Sequence, residues 1–341
     1  MIVFFDVDDI TRSYLKEKGL LKRDVVLFDG TADALSDSDY EKIKAASVIS
    51  VFIHSQITKD VIDRFPNLKL IVTRSTGFNH IDTDYCTQKG IAVENVARYG
   101  EATVAEFALG LCLNLTRKVN IAYHDLRNGI VNIDRYMGRD MFESVIGIIG
   151  TGAIGRHAVK IALGLGMNVL AYDLYPSKDL IAYGVEYVEL NEMYRRADFI
   201  SLHCPLTKDN KGFMNAQAFA KMKDGVIIIN TARGELINNE DLYVALKSGK
   251  VGGAGLDALA EEGTIFGNDI YLSGLNKFQQ SELITSFVNL KLLQLPNVII
   301  TPHIAFNSKD AVIRILNTTI QNIEDFKKGK LPNLVNKGVL S

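Results

Sequence analysis

The chain has no tryptophan and only three cysteines in 341 residues. Cys86, Cys112 and Cys204 are odd in number, far apart and without a CxxC pair, which argues against a disulfide framework and a cysteine-based zinc site. They read as buried thiols. Long apolar runs are also missing: none approaches the roughly 20 residues of a membrane span, and the opening "MIVFFDVDDI" is an acidic, strand-like start rather than a basic leader. A cytoplasmic protein is expected. Nor is there an excess of either charge, since 38 Lys plus Arg against 40 Asp plus Glu leave a net charge of −2, too little to hold the chain on nucleic acid or an anionic membrane. A small neutral or anionic substrate fits this balance. What remains, 47% hydrophobic and 23% charged residues, describes an ordinary globular protein long enough for two domains, each with its own core.

Short apolar runs alternate with longer amphipathic stretches, the pattern of βαβ units and parallel sheets. They fall into two blocks. The first has strand candidates at 2–7, 24–28, 47–53, 68–74 and 91–96, and the second at 144–149, 168–173, 198–203, 225–230, 251–257 and 297–301. Six strands suffice for a doubly wound sheet. Between the blocks, residues 101–128 are free of proline and almost free of glycine, with apolar positions at helical spacing, so one long connecting helix is expected. A last helix should follow Ser308 as N-cap, with Val312, Leu316, Ile320 and Ile323 on one stripe and lysines near its end. Because the second sheet is complete by Thr301, this helix is expected to return to the first domain, making that domain discontinuous: 1–100 plus 304–341, around an inserted 101–303.

The clearest chemical signal is "SVIGIIGTGAIG", where Gly150, Gly152 and Gly155 follow an apolar strand and precede a helical pattern. A GxGxxG alone is weak. In this context the first glycine permits a tight turn, the second lets N–H groups approach a pyrophosphate, and the third lets helix and strand pack closely. Asp173 ends the next strand, 18 residues beyond Gly155, where a carboxylate would take ribose hydroxyls. Leu174 and Tyr175 follow it rather than an arginine pair, which favours NAD over NADP.

A dinucleotide site that transfers hydride to a carbonyl also needs an electrophile and a proton donor. Arg233 lies just beyond the strand 225–230, and Asp257 ends the strand 251–257, with Glu261 and Glu262 in the loop after it. His303 follows "NVIITP" at the end of the sixth strand. By itself a lone histidine at a strand end is more often structural than a metal ligand or proton donor, and no cluster of further His or Cys residues supports a metal.

Six motifs, in order, give the chain a recognisable likeness: "TRSTGFNHID", "YGEATVAEFALGL", "GIIGTGAIGRHAVKIALGLGMNVLAYD", "LHCPLT", "NTARGELIN" and "TPHIA". Through them it resembles the D-isomer-specific 2-hydroxyacid dehydrogenase family along nearly its whole length. The resemblance implies an α/β fold of two Rossmann- or flavodoxin-like βαβ domains with a cleft between them, the coenzyme domain inserted in a discontinuous substrate domain. It implies catalytic roles for Arg233 (substrate carboxylate and carbonyl), His303 (general acid/base) and Glu262 (orienting the histidine), with Glu261 as the rival of Glu262. A free imidazole titrates near pH ~6.5, and a carboxylate neighbour favours its charged form. Coenzyme contacts are implied for Gly150, Gly152, Ala153, Ile154, Gly155, Asp173, Cys204, Pro205, Asn210, Thr231 and Asp257. Substrate contacts are implied for Thr76, Gly77, Tyr99 and Phe52.

The substrate is less well determined, because the family spans lactate, branched 2-hydroxy acids, glycerate, phosphoglycerate and glyoxylate. The long segment 262–296, with Tyr99 and Phe52, resembles the lactate-type branch and favours pyruvate and D-lactate, although "YGEATVAEF" departs from that branch's common "YSP" start. A reading of another class, an NAD-sensing corepressor-like binding protein, stands beside the enzyme. The segment 101–128, with Leu109, Leu113 and Ile121, resembles the family's dimerisation arm, so a homodimer is expected.

Overall fold

A computed structural model describes residues 1–21, 24–260 and 280–340. The chain divides into two compact units, Met1–Tyr99 with Asn307–Ser341, and Gly100–Phe306. Each is built on one parallel sheet flanked by helices, the α/β class expected.

In the first unit, β1 (Ile2–Phe4), β2 (Val25–Leu27), β3 (Val48–Val51), β4 (Leu70–Thr73) and β5 (Ala92–Glu94) form a sheet of order β2-β1-β3-β4-β5. Its central strands, "VISV" and "LIVT", are buried at every position. They read as unbroken apolar runs because helices or loops cover both faces and there is no wet side to alternate toward. One core layer gathers Phe5, Ile43, Ile49, Phe65 and Ile71, and the other Phe4, Leu15, Leu70, Val72 and Ile323.

The last helix, Lys309–Lys327, belongs to this unit and packs on helix Asp9–Glu17 and β4. Ser308 caps it by accepting from the Ala311 N–H. Its buried seam differs from the expected stripe: Ala311, Ile315, Leu316, Thr319, Asn322 and Ile323 are buried, whereas Val312 and Ile320 are only partly so. The seam turns toward polar positions because Asn322 donates to the Asn95 carbonyl and accepts from Asn333 Nδ2.

In the second unit, β6 (Val145–Ile149), β7 (Asn168–Tyr172), β8 (Glu186–Tyr187), β9 (Phe199–Leu202), β10 (Val226–Asn230), β11 (Val251–Leu256) and β12 (Val298–Ile300) take the order β12-β11-β10-β9-β6-β7-β8. This is the doubly wound arrangement extended by one strand. The edge strand β8 was not expected. Its two residues, paired with Leu170 and Ala171, are too short for any periodicity to show.

The single connecting helix over 101–128 is in fact two, Glu101–Arg117 and Val119–Arg127, joined at Lys118 with φ 52 and ψ 35. A left-handed lysine has no sequence signature of the kind glycine or proline provides. The break is held by one local and one longer-range bond: Asn114 Oδ1 accepts from the Asn120 N–H, and Lys118 Nζ donates to the Arg135 carbonyl. The first helix is well buried, with Ala105, Ala108, Leu109 and Cys112 against Ala158, Val159 and Ala162 of helix Ala153–Gly164. The second leaves Val119, Tyr123 and Leu126 exposed, as are Ile130, Val131, Ile133, Met137 and Phe142 beyond it. Among the described residues no helix is long and apolar enough to cross a membrane.

The second unit also runs to Phe306, past the expected boundary at 303. Residues 304–306 stay with it because the amides of Ile304 and Ala305 are bound to Asp257 at the end of β11.

Candidate active site

The order of the second sheet reverses between β6 and β9, the position where open parallel sheets receive ligands outside their strand ends. The glycine loop leaves β6 there. Gly150 has φ 93, and a Cβ on it would lie 2.6 Å from the Cys204 nitrogen; on Gly155 it would lie 1.9 Å from the Gly150 carbonyl oxygen. The loop is therefore folded as tightly as backbone permits, against the chain leaving β9. Gly152, by contrast, faces open space. Helix Ala153–Gly164 starts beside it with no side-chain cap, and the N–H groups of Ala153 and Ile154 find no acceptor among the described residues. Uncapped N–H groups at a helix N-terminus, beside open space, suit the two phosphates of a dinucleotide.

Asp173, at the end of β7, accepts from the Thr151 N–H at 2.6 Å, the Thr151 hydroxyl at 3.0 Å and the Tyr175 N–H at 2.8 Å. Burial pushes its carboxyl up, but the bonds from Tyr175 and Thr151, with the charge of Arg156, outweigh it and hold the group below its ordinary range. Asp173 is thus a fixed anion. Tyr187 on β8 extends the arrangement, donating to the Thr151 hydroxyl at 2.9 Å and accepting from the Ser177 N–H at 3.0 Å. Neither Thr151 nor Tyr187 was singled out from sequence, because the motif names only its glycines and acid.

His203 stands directly before Cys204 at the end of β9 and is half-buried, and loss of water around its imidazole lowers its pKa to about 4 and keeps the ring neutral. Its Nε2 meets the Ser201 hydroxyl at 2.8 Å while Nδ1 has no partner among the described residues. Burial raises the Cys204 thiol to about 11, so it stays protonated near neutrality. Asn210 staples the following loop, accepting from the Thr207 N–H and donating to the Pro205 carbonyl. The buried Thr231 hydroxyl, after β10, also has no partner among the described residues.

Three neighbouring strands, β10, β11 and β12, bring Arg233, Asp257 and His303 to the same sheet edge. Arg233 is exposed, its Nη1 donating to the Ala232 carbonyl and its own carbonyl held by Asn230 Nδ2. Gly234 next to it sits so close to the chain after β11 that a Cβ would lie 1.9 Å from the Leu259 carbonyl carbon. Only glycine can carry the arginine loop there.

Asp257, expected among the coenzyme contacts, is 1% exposed and spends its carboxylate within the protein. Oδ1 accepts from the Thr301 hydroxyl at 2.5 Å and the Ile304 N–H at 2.9 Å, and Oδ2 from the Ala305 N–H at 2.8 Å. The turn it secures carries His303 at φ 53, in the left-handed region that costs a non-glycine residue about 1–3 kcal/mol and persists only where the surroundings enforce it. Glu261 and Glu262 lie outside the described residues. Among those described, no group of three or more His, Cys, Asp or Glu side chains could hold a metal ion.

In the first unit, Thr76 and Gly77 follow β4. The Thr76 hydroxyl donates to the Val96 carbonyl, its carbonyl accepts from Asn95 Nδ2, and the Gly77 carbonyl accepts from Ser75 Oγ. Their own N–H groups meet no acceptor among the described residues. Phe52 follows β3, its N–H bound to Asp6 Oδ2. Tyr99 is half-buried, and its carbonyl accepts from Arg314 Nε. Beneath these strand ends Arg74 is buried, donating to the carbonyls of Phe5, Asp6 and Ser50. Burial lowers its pKa to about 10 against the opposing effect of Asp6, so it remains a cation at neutral pH.

A doubly wound sheet, a glycine loop opening an uncapped helix, a carboxylate fixed at the end of the second strand, and an arginine and a strained histidine on the same edge define a dinucleotide-dependent oxidoreductase. Comparison with known proteins agrees. Residues 109–305 match the family described as D-isomer specific 2-hydroxyacid dehydrogenase, NAD binding domain. The chain is 34% identical to D-lactate dehydrogenase of Escherichia coli over 298 residues, 87% of this chain and 88% of the relative. It is 35% identical to an aromatic 2-oxoacid reductase of Clostridium sporogenes, covering 89% of this chain and 91% of that one. The crystal structure of D-lactate dehydrogenase from Aquifex aeolicus, complexed with NAD and lactic acid, superimposes with a TM-score of 0.80 at 32% identity, covering 98% and 99% of the two chains. The chain belongs to the D-isomer specific 2-hydroxyacid dehydrogenase family and is an NAD-dependent oxidoreductase of the D-lactate dehydrogenase-like kind.

Proposed function

We propose that the protein reduces pyruvate to D-lactate with NADH, reversibly, with Arg233, His303 and Glu262 as its catalytic residues. The observation that carries this reading is His303, held in a left-handed backbone by the buried Asp257 on the sheet edge that also presents Arg233. The D-lactate dehydrogenase relatives support the substrate.

NAD, when bound, supplies the hydride. The uncapped start of helix Ala153–Gly164, including Ala153 and Ile154, would hold its pyrophosphate, Asp173 its ribose hydroxyls, and Cys204, Pro205, Asn210 and Thr231 would surround the rest, while Asp257 supports the turn of His303 instead. Arg233 binds the 2-oxo acid through a planar fork matched to carboxylate and carbonyl oxygens. His303 gives its proton to the developing alkoxide, and Glu262 orients the imidazole. Substrate contacts come from the free N–H groups of Thr76 and Gly77, with Phe52 and Tyr99 bounding the side chain. In this reading Met1–Tyr99 with Asn307–Ser341 is the substrate domain and Gly100–Phe306 the coenzyme domain. The protein works in the cytoplasm as a homodimer, for which the exposed Val119, Tyr123, Leu126, Ile133 and Met137 offer an apolar surface.

NADH oxidation with a panel of 2-oxo acids tests the proposal. Pyruvate should turn over best, with larger branched or aromatic acids slower; a preference for phenylpyruvate would move the substrate to the aromatic class. His303→Ala should abolish turnover with NADH binding kept, and Arg233→Lys should chiefly weaken 2-oxo-acid binding. Normal pyruvate reduction by the His303→Ala protein would sink the assignment. A wild type that binds NADH yet turns over no acid would favour a coenzyme-sensing binding protein. Sedimentation velocity checks the dimer, and Leu126→Asp with Ile133→Asp should yield monomers.

A further inference from the structure

Resting on the 2-oxo-acid reading above, we infer that Asp6 is a positioning residue for substrate binding, setting Phe52 through its backbone N–H. The first sheet reverses its order between β1 and β3, where open α/β sheets bind ligands beyond their strand ends. Asp6 leaves β1 and Phe52 leaves β3, so the two face each other across that point.

Asp6 adopts φ 51, a left-handed conformation that needs enforcement. Its N–H donates to the Gly30 carbonyl at 3.0 Å, and its carbonyl accepts from Arg74 Nη2 at 2.8 Å. So held, its Oδ2 accepts from the Phe52 N–H at 3.0 Å and the Ser55 hydroxyl at 2.6 Å. Ser55 is itself fixed, its Oγ accepting from the Ala32 N–H at 2.9 Å.

Arg74 ties this turn to the other substrate segment. Nη2 also donates to the Phe5 carbonyl at 2.6 Å, Nη1 donates to the Ser50 carbonyl and hydroxyl, and its own N–H meets the Val51 carbonyl. Two residues later the chain presents the free N–H groups of Thr76 and Gly77. One buried cation thus joins the ends of β1, β3 and β4, and Asp6 converts that anchoring into a set position for Phe52. The acid is wanted here for its oxygen: one acceptor facing two donors is sufficient, which an asparagine can also provide.

The test compares Asp6→Ala with Asp6→Asn in pyruvate kinetics, NADH binding by fluorescence and thermal unfolding. Asp6→Ala should raise KM for pyruvate about tenfold, since small misplacements of a binding group are costly. Its kcat should stay within about twofold and its NADH affinity should be unchanged, the pattern of lost ground-state binding. Asp6→Asn should restore KM to near the wild-type value. Should Asp6→Ala fail to fold, Ser55→Ala removes one donor and should raise KM severalfold. An unchanged KM in folded Asp6→Ala or in Ser55→Ala overturns the inference. So does an Asp6→Asn protein as impaired as Asp6→Ala, or a fall in kcat and NADH affinity alongside KM. A wild type silent toward every acid overturns the functional reading and this inference with it, whereas active wild type with indifferent variants overturns this inference alone.

Discussion

Replacing Asp257 by asparagine separates support of the histidine turn from contact with the coenzyme. The carboxylate accepts three hydrogen bonds, from the Thr301 hydroxyl and Ile304 N–H on one oxygen and from the Ala305 N–H on the other. An asparagine must turn an NH2 toward one side. With its oxygen in place of Oδ1, the amide faces the Ala305 N–H; reversed, it faces the Ile304 N–H. Either way one backbone donor is orphaned in a site only 1% exposed. A hydrogen bond to a charged group contributes about 1.5–3 kcal/mol and an orphaned buried group costs about 1–3 kcal/mol; because the two overlap, about 2–4 kcal/mol is expected. That leaves the protein folded but loosens the turn, and the left-handed His303 then relaxes toward ordinary backbone. If the whole loss appeared in the transition state, kcat/KM for pyruvate would fall about 30- to 1000-fold. The assays are urea unfolding, amide hydrogen exchange over 301–305, steady-state kinetics and NADH titration. Faster exchange at Ile304 and Ala305 with NADH affinity kept is the expected result. Protection, unfolding midpoint and kcat/KM all at wild-type values would refute the reasoning, and weakened NADH binding with full protection would return Asp257 to the coenzyme.

Gly155→Ala should weaken NADH binding more than about tenfold, because its Cβ would meet the Gly150 carbonyl oxygen at 1.9 Å and only an opened loop could take it; fluorescence titration decides, and unaltered affinity would contradict the packing. Glu94→Gln should stabilise the protein at pH 7.5, since a neutral amide in the fully buried Glu94 position avoids taking a charge out of water. Burial raises the Glu94 carboxyl above its ordinary 4.5, so the folded state holds the proton more tightly than the unfolded one. Its favourable contribution is complete below about 4.5 and is lost as pH rises through the raised value, so the advantage of the glutamine should shrink as urea unfolding is repeated toward pH 4.5. Lys118→Gly should raise stability by about 0.5–1 kcal/mol in the same assay, because φ 52 suits glycine; the loss of about 1 kcal/mol typical of glycine inside a helix would show that the break is not enforced.

Much of this was legible in sequence where one local rule acts alone. Eleven strands were foreseen because buried parallel strands read as short apolar runs, and β8 was not, because two residues carry no period. The glycine loop and Asp173 were legible because a tight turn, a close approach and a carboxylate at a strand end each demand a residue type at a set spacing. The break at Lys118 was not, because a left-handed lysine has no residue signature, and the burial of Asn322 was not, because Asn95, far away in sequence, helps to enforce it together with Asn333.

The sequence by itself determined the α/β class, the dinucleotide loop and the identities of Arg233 and His303 as candidates, since these depend on residue type and local order. Tertiary structure alone decided how His303 is held. Its left-handed backbone is enforced by Asp257, 46 residues earlier in the chain, and the arginine loop is seated by Gly234 against Leu259. Likewise Asp6, Ser55 and Arg74 meet only because β1, β3 and β4 lie side by side. Hydrogen bonds between residues so far apart in sequence leave no periodic trace, because what brings them together is the order of strands in a sheet.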